Sequence, residues 1–593
     1  MNAVMVIDIS IPIAEVSPTW FKGAKLNFAE NLLKYRDDKV AFIIAGENGK
    51  VEKLTFYQVF KKAELYASAF RKFGLKKGDV VVCQMSNRIE AMIGMIAVTS
   101  IGAIWSGALP LIGSKAVINR FKQVEAKVFL TIDQIVHQQK QIDMLPKILE
   151  IAEGLPTLKK IIIVPSTQES RFKDISDIKN SCFLDDFLQL GSEADGSVPP
   201  MQFEQVTFDH PVFINYTSGT TGLPKAIVHG LGFLLPVFRD FVLHFDTGRD
   251  SVWLSSSPVG WVSWNCFAGL LFVGCTSVLL EGSPYFLSPT YFWDMLDEYE
   301  ITHIFMATSI VDELQRLGYV PKENSLRSLK VFMAGGSVVK PQNYDFVYEK
   351  VKKEVAFTSG FGCTEFMASC FVFDTTLAIY KGEINARSLG VAVEIVDEDG
   401  KPLHGETGEI VITKPMPNLP LGLWGDENNF EFHKKYYSKY PGKYTMNDCG
   451  RINPFTKGLV VCGRSDETLK QRGWRFGSSE IYNIVDTFPE VRDCLCVPQY
   501  NRNMEERAVL FLKMRPNYSF NENLTNNIRE AITRELTANH VPEVILEIQD
   551  IPYSVNGKKL EITVKKVINK LPYSTETISN PESLEYYKNI PEF

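Results

Sequence analysis

The segment "YTSGTTGLPK", residues 216–225, concentrates chemistry that suits an anion. Gly219 and Gly222 let the backbone fold tightly, so that several N–H groups converge as a nest for negative charge. Thr217, Ser218, Thr220 and Thr221 add hydroxyl donors, and Lys225 adds an ammonium. Amides and hydroxyls of this kind wrap a polyphosphate without imposing a single geometry. The spacing departs from the P-loop, which places four residues between two glycines and continues with Gly-Lys-Ser/Thr. A phosphate site of another kind is expected, with Lys225 as a grip on phosphate.

Such a loop needs a rigid frame. The run 212–215 just before it reads as a buried strand, and so do 80–85, 127–132, 160–164, 277–280 and 330–333. Helical stretches such as 55–73 alternate with them. Helices interleaved with buried strands imply a largely parallel α/β architecture, with ligands held by loops beyond the strand ends. Segment 393–412 carries two alternating runs around Asp399-Gly400, a hairpin signal. From about Asp466 the pattern changes to strands at 495–498, 508–513 and 544–547 with an amphipathic helix at 522–539. That unit of roughly 120 residues is large enough to fold by itself. Two domains are therefore expected, 1–465 and 466–593.

Bulk properties set the limits. A chain of 593 residues exceeds one compact core. With 45% hydrophobic and 22% charged residues it has the composition of a soluble globular protein. A net charge of -7 offers nothing to a nucleic-acid backbone. Ten cysteines occur singly or as Cys494-x-Cys496, without a CxxC pair, which argues against zinc or a disulfide framework and for a reducing, cytosolic compartment. The start "MNAVMVIDIS" lacks a basic region and carries Asp8 within its apolar run, so no signal peptide is expected. The end "NIPEF" is not the Ser-Lys-Leu peroxisomal address. Segment 92–113 has no charge and is long enough to span a bilayer, but Gly102, Gly107 and Pro110 divide it. A buried helix followed by a core strand is expected there, and no membrane partner.

The loop at 216–225 resembles the signature of the adenylate-forming superfamily, which includes acyl-CoA synthetases, adenylation domains and beetle-type luciferases. Further motifs follow in the family's order over nearly the whole chain. The resemblance implies a large N-terminal domain of mixed and parallel sheets sandwiched by helices, a small mobile α+β C-terminal domain, and the use of ATP, Mg²⁺ and coenzyme A. "SGFGCTE", 359–365, is similar to the adenine-side motif. It implies Gly362 and Cys363 beside the nucleotide, Thr364 facing the α-phosphate and Glu365 holding Mg²⁺, a hard cation that takes carboxylate oxygen. Gly336, Ser337 and Val338 would border the adenine. Asp448 in "YTMNDCG" matches the ribose aspartate, an acceptor-only carboxylate suited to a diol. Arg464 in "GRSDETLK" would reach ribose or phosphate, and Asp466 matches the hinge, where a loop residue absorbs a large backbone change. Arg475 in "GWRFG" would contact phosphate. Arg472, Gly473 and Trp474 would line a tunnel for pantetheine, where a slim ligand against backbone leaves no room for a Cβ. "IPYSVNGKKLE" is similar to the last motif and implies Lys558, not its neighbour Lys559, as the lysine that offsets charge when a carboxylate attacks the α-phosphate.

Within the superfamily, "WFKGAKLNFAENLL", "PVGWVSWN", "WGDEN", "RFGSSEIYNIV" and "SLEYYKNIPEF" look like the acetoacetyl-CoA synthetases. This narrower resemblance implies joining of acetoacetate to CoA through an acyl-adenylate, with release of AMP and pyrophosphate and use of a ketone body for lipid synthesis. Acetyl-CoA synthetases usually place a bulky tryptophan before Gln-Thr-Glu. Phe361-Gly362-Cys363 puts small residues there and leaves room for a longer acid, walled by Phe361, Trp261, Val262, Ser263 and Trp264. Two departures stand out. Acetoacetyl-CoA synthetases usually read Ser-Gly-Gly-Thr-Asp where this chain has Phe361-Gly362-Cys363-Thr364-Glu365, and they usually carry a longer segment before Trp20-Phe21-Lys22-Gly23. The start is thus expected to be truncated, alternative or divergent. Another short- or medium-chain acid, a luciferase-like oxidative second step and a non-catalytic nucleotide sensor are the competing readings. A monomer is expected.

Overall fold

The computed structural model describes all residues except 1–4, 8–18, 48, 50, 218–223, 466–468, 472–473, 501–505 and 556. One sheet runs in the order Ser181–Phe183, Lys160–Val164, Val128–Ile132, Val80–Gln84, Ile104–Ala108, Phe213–Thr217, Lys225–His229 and Gly422–Leu423. It is parallel as far as Phe213–Thr217 and antiparallel in its last two strands. A second sheet runs Ala356–Ser359, Val331–Gly335, His303–Ala307, Val252–Ser255, Thr276–Glu281, Val40–Gly46 and Glu52–Thr55, parallel except for the last pair. The parallel strands are mostly apolar because both faces are covered. All five residues of Val80–Gln84 and Val128–Ile132 are buried.

One continuous core joins both sheets. It takes Val81 and Phe129 from the first, Phe42 and Trp253 from the second, and apolar faces of helices Phe56–Phe73 and Ile89–Ser100. The longer helix starts where Thr55 and Gln58 form a reciprocal capping box and stops where Gly74 turns left-handed at φ 93°. Residues 92–113 resolve as expected from their glycines. Helix Ile89–Ser100 is buried at every position from Ala91 onward, and strand Ile104–Ala108 enters the sheet centre. Among the described residues no helix is long and apolar enough to cross a membrane.

The hairpin at 393–412 pairs Val393 with Ile412. Its turn is held by Asp397 Oδ1, which accepts from the backbone N–H of Asp399 and Lys401. Strands Tyr444–Ile452 and Leu459–Arg464 extend it to four. The C-terminal sheet comprises Val491–Tyr500, Glu506–Met514 and Val544–Glu547. The helix expected over 522–539 ends earlier, at Glu522–Glu535. Leu536 leaves helical geometry, and the Thr537 hydroxyl takes the Asn539 N–H for a separate short turn, the usual competition of a threonine with the helix ladder. Two buried clusters in this part are built only from residues 469–593.

Candidate active site

A cavity of about 2210 Å³ opens where the strand ends of the large sheets face the C-terminal residues. Strand Phe213–Thr217 delivers Tyr216 and Thr217 to it. Its antiparallel partner begins at Lys225, directly opposite Thr217. Thr217 Oγ1 is buried without a hydrogen-bond partner among the described residues, and the Lys225 ammonium stands 3.9 Å from Glu431. An orphaned donor beside a cation fits a phosphate better than it fits a closed protein core. Ser218, Gly219, Thr220, Thr221, Gly222, Asp466, Arg472 and Gly473 lie outside the described residues, as do the side chains of Trp474 and Arg475.

Gly336, Ser337 and Val338 line the cavity at the end of strand Val331–Gly335. Gly336 is left-handed at φ 87°, and Thr308 Oγ1 donates to the carbonyls of Gly335 and Ser337, which holds that turn open. Across from it, Phe361, Gly362, Cys363, Thr364 and Glu365 form the opposite wall. A Cβ on Gly362 would stand 2.2 Å from the Ala368 carbonyl oxygen of the paired strand, so only glycine lets this strand lie where it does. Burial, with the Glu365 charge, pushes the Cys363 thiol well above its usual range, so it is a neutral wall residue.

Glu365 is buried, and its Oε1 accepts from the Tyr436 hydroxyl at 3.0 Å. Tyr436 stacks on Tyr444 with the rings 9° from parallel, which fixes the hydroxyl. The other carboxylate oxygen has no protein partner among the described residues. One oxygen held and one available suits a hard cation whose remaining ligands are phosphate oxygens and water. Among the described residues no group of three or more metal-ligating side chains occurs. Lys435 stands 3.8 Å from Glu365. Desolvation lowers its ammonium pKa against the pull of Glu365, and Lys225 and Arg464 lower it further. This cluster of cations around one carboxylate went unread in the sequence. Lys435 sits in a lysine-rich helix, Phe430–Tyr436, with no motif to mark it.

Asp448 and Arg464 face each other across paired strands, 3.6 Å apart, and both line the cavity. Arg464 Nη1 also donates to the Met446 carbonyl, fixing the guanidinium. Asn447 adopts a left-handed φ of 57°, the bend beside Asp448. Just before residue 466, Ser465 donates to the buried carboxylate of Glu409, which also takes Thr445 and Lys439.

Lys558 reaches the same cavity from the C-terminal side. Its backbone N–H donates to Ser554 Oγ, and the Gly557 turn lies against Ser309 at the start of helix Thr308–Leu317. Lys559 also borders the cavity, but its ammonium is engaged: half-buried, it pairs with Asp493 at 2.7 Å and lies over the Tyr482 ring. Trp261, Val262 and Ser263 line the cavity, with Cys266 and Phe267 one turn on. Trp264 does not belong with them. On helix Val262–Ala268 it falls on the opposite face, 2% exposed, donating to Asn87 Oδ1 and stacked on Trp105. Its sequence-based place in the acyl wall is therefore corrected to the core.

Comparison with known proteins agrees with this layout. The family model "AMP-binding enzyme" matches residues 28–424. An acetoacetyl-CoA synthetase of Gallus gallus is 44% identical over 99% of this chain and 88% of its own length. The Rhizobium meliloti (strain 1021) acetoacetyl-coenzyme A synthetase is 32% identical over 97% and 87%. The solved acetoacetyl-CoA synthetase from Streptomyces lividans superposes with a TM-score of 0.90 at 28% identity, covering 99% of this chain and 89% of that one. The departures at Phe361, Cys363 and Glu365 thus sit within a likeness that spans nearly the whole chain, and the chain belongs to the AMP-binding enzyme family, among its acetoacetyl-CoA synthetases.

Proposed function

We propose that the protein is an ATP-dependent acid–thiol ligase that forms acetoacetyl-CoA from acetoacetate, ATP and CoA through an acyl-adenylate, releasing AMP and pyrophosphate. The observation that carries this is the convergence of Thr364, Glu365, Asp448 and Arg464 with Lys558, brought from the C-terminal part of the chain, on one cavity. A protein that only binds nucleotide has no use for a lysine delivered that way.

In the first half-reaction the acid carboxylate attacks the α-phosphate in line. Residues 217–225, with Lys225, hold the departing pyrophosphate, Asp448 holds the ribose, Arg464 reaches ribose or phosphate, and Gly336, Ser337 and Val338 border the adenine. Thr364 faces the α-phosphate. Mg²⁺ bound at Glu365 would neutralise phosphate charge. Lys558 offsets the charge that grows as two anions meet, and the fixed geometry supplies much of the remaining rate gain. In the second half-reaction residues 466–593 turn about Asp466 as a mobile domain on the body formed by 1–465. Lys558 leaves, Arg475 finds phosphate, and Arg472, Gly473 and Trp474 line the path by which the CoA thiol attacks the acyl carbonyl and AMP departs. Two cores built only from residues 469–593 support that division. The reading takes the chain as a cytosolic monomer, and its ten free cysteines agree with a reducing compartment.

The acid is tested by thioester formation with acetoacetate, acetate, butyrate and hexanoate at equal concentration. Acetoacetate should give the highest kcat/KM. Faster turnover of hexanoate or butyrate would reassign the acid and leave the two-step chemistry in place.

A further inference from the structure

Two helix ends meet between the large body and the C-terminal part, and each carries a charge of the wrong sign for its own helix. Lys340 is the N-cap of helix Pro341–Phe346, where the macrodipole favours an anion. Asp486 is the C-cap of helix Ser478–Val485, where the macrodipole favours a cation. Neither residue is explained by its own helix. They are explained by each other. Lys340 Nζ lies 2.6 Å from Asp486 Oδ2, and the side chains are only 25% and 18% exposed. Beside them Gln342 Nε2 donates at 2.8 Å to the Asn483 carbonyl, one of the last-turn carbonyls that a helix leaves unpaired.

The pair also sits where it can act on chemistry. Lys340 follows Gly336, Ser337 and Val338 within the same turn, and both Lys340 and Asp486 line the cavity that holds Lys558. The second partner of Lys340, Asp312 at 3.6 Å, belongs to the large body, on helix Thr308–Leu317. Asp312 is fixed in turn by Asn343 Nδ2 at 2.8 Å. If Asp486 swings away, Lys340 therefore keeps a counter-ion, and Asp486 passes from a half-buried interface to water. Breaking a buried pair is costly mainly when one charge is stranded, and this arrangement strands neither.

We propose that Lys340 and Asp486 form a releasable latch that holds the C-terminal domain in the arrangement that delivers Lys558 to the acyl-adenylate-forming step. Both are positioning residues, and the proposal rests on the two-step ligase reading. The latch stabilises one domain arrangement and contributes nothing to the other. Its loss therefore slows one half-reaction selectively, which a general loss of fold would not do.

The test measures both halves for Lys340→Ala, Asp486→Asn, the double variant and the conservative Asp486→Glu, with Lys558→Ala alongside. Acetoacetate-dependent ATP–pyrophosphate exchange should fall roughly 10-fold in each single variant, the scale of one interdomain ion pair. Thiolysis of supplied acetoacetyl-adenylate by CoA should stay within about 2-fold, the double should fall no further than the singles, and Asp486→Glu should recover most of the exchange rate. Equal loss in both halves, or additive loss in the double, overturns the latch. If Lys558→Ala separates the halves and the latch variants do not, the latch alone fails. If Lys558→Ala does not separate them, the two-step reading fails and the latch with it.

Discussion

Adjacent lysines 558 and 559 share a motif and a charge but not a task. Lys559 is enclosed by Asp493, Tyr482 and the Cys494 carbonyl, and the Asp493 charge pulls its ammonium well above the ordinary lysine range against the cost of burial. Lys558 is exposed on the cavity wall, on the turn that touches Ser309. Substitution should therefore separate them by kind of defect. Lys558→Ala should abolish adenylate formation while leaving cooperative unfolding and thiolysis of supplied acyl-adenylate largely intact. Lys559→Ala should destabilise the C-terminal part of the chain by about 1–3 kcal/mol, because the half-buried Asp493 would lose its counter-ion. Urea unfolding and the two half-reaction assays give both readouts, and equal behaviour of the two variants would refute the assignment.

At the scale of elements, the wall opposite the adenine segment depends on a strand that tolerates no side chain. Strand Phe361–Cys363 shifts register between Phe361 and Gly362, and Gly362 presses on the Ala368 carbonyl. A methyl group there forces the strand outward by about 1 Å, enough to cost roughly 100-fold where reacting groups must be aligned. Gly362→Ala should lower pyrophosphate exchange by that order while Tm changes by only a few degrees. An unchanged rate would mean that residues 361–365 do not set the reaction geometry.

Acid sensitivity belongs to the whole molecule. His229 ends the strand next to the edge of the first sheet, 1% exposed, and among the described residues neither ring nitrogen has a partner. Burial lowers its pKa to about 3, and burial also lowers that of His303 to about 4. The unfolded chain binds these protons near pH 6.5 while the folded protein does not, so stability falls as pH drops below that value. Between pH 6.5 and 5 each histidine should remove about 2 kcal/mol. Urea unfolding at pH 7 and pH 5 should show a loss in His229→Leu about 2 kcal/mol smaller than in the unsubstituted protein. An identical loss in both would place the acid sensitivity elsewhere.

Local signals in the chain were enough for the α/β class, the strands around the phosphate loop and the motif residues, because each depends on neighbours within a few positions. The capping box at Thr55 and the glycine-broken segment 92–113 are examples, and the helix over 522–539 failed only at Thr537, where a side-chain hydrogen bond outcompeted the ladder. Trp264 was misread as an acyl wall because four adjacent residues cannot share one helix face, a fact that appears only once the helix is oriented. Lys435, Tyr436 and the Lys340–Asp486 pair carry no motif at all. Their roles arise from approach across 70 positions between Glu365 and Tyr436, and across 145 between Lys340 and Asp486. By itself the sequence determined the α/β class and the family motifs that point to candidate phosphate, ribose and charge-offsetting residues, since motifs are properties of residue type and short spacing. The tertiary structure alone decided which side chains share the cavity, which lysine is held by Asp493, and what ties the two parts together, because burial and charge pairing are properties of packing.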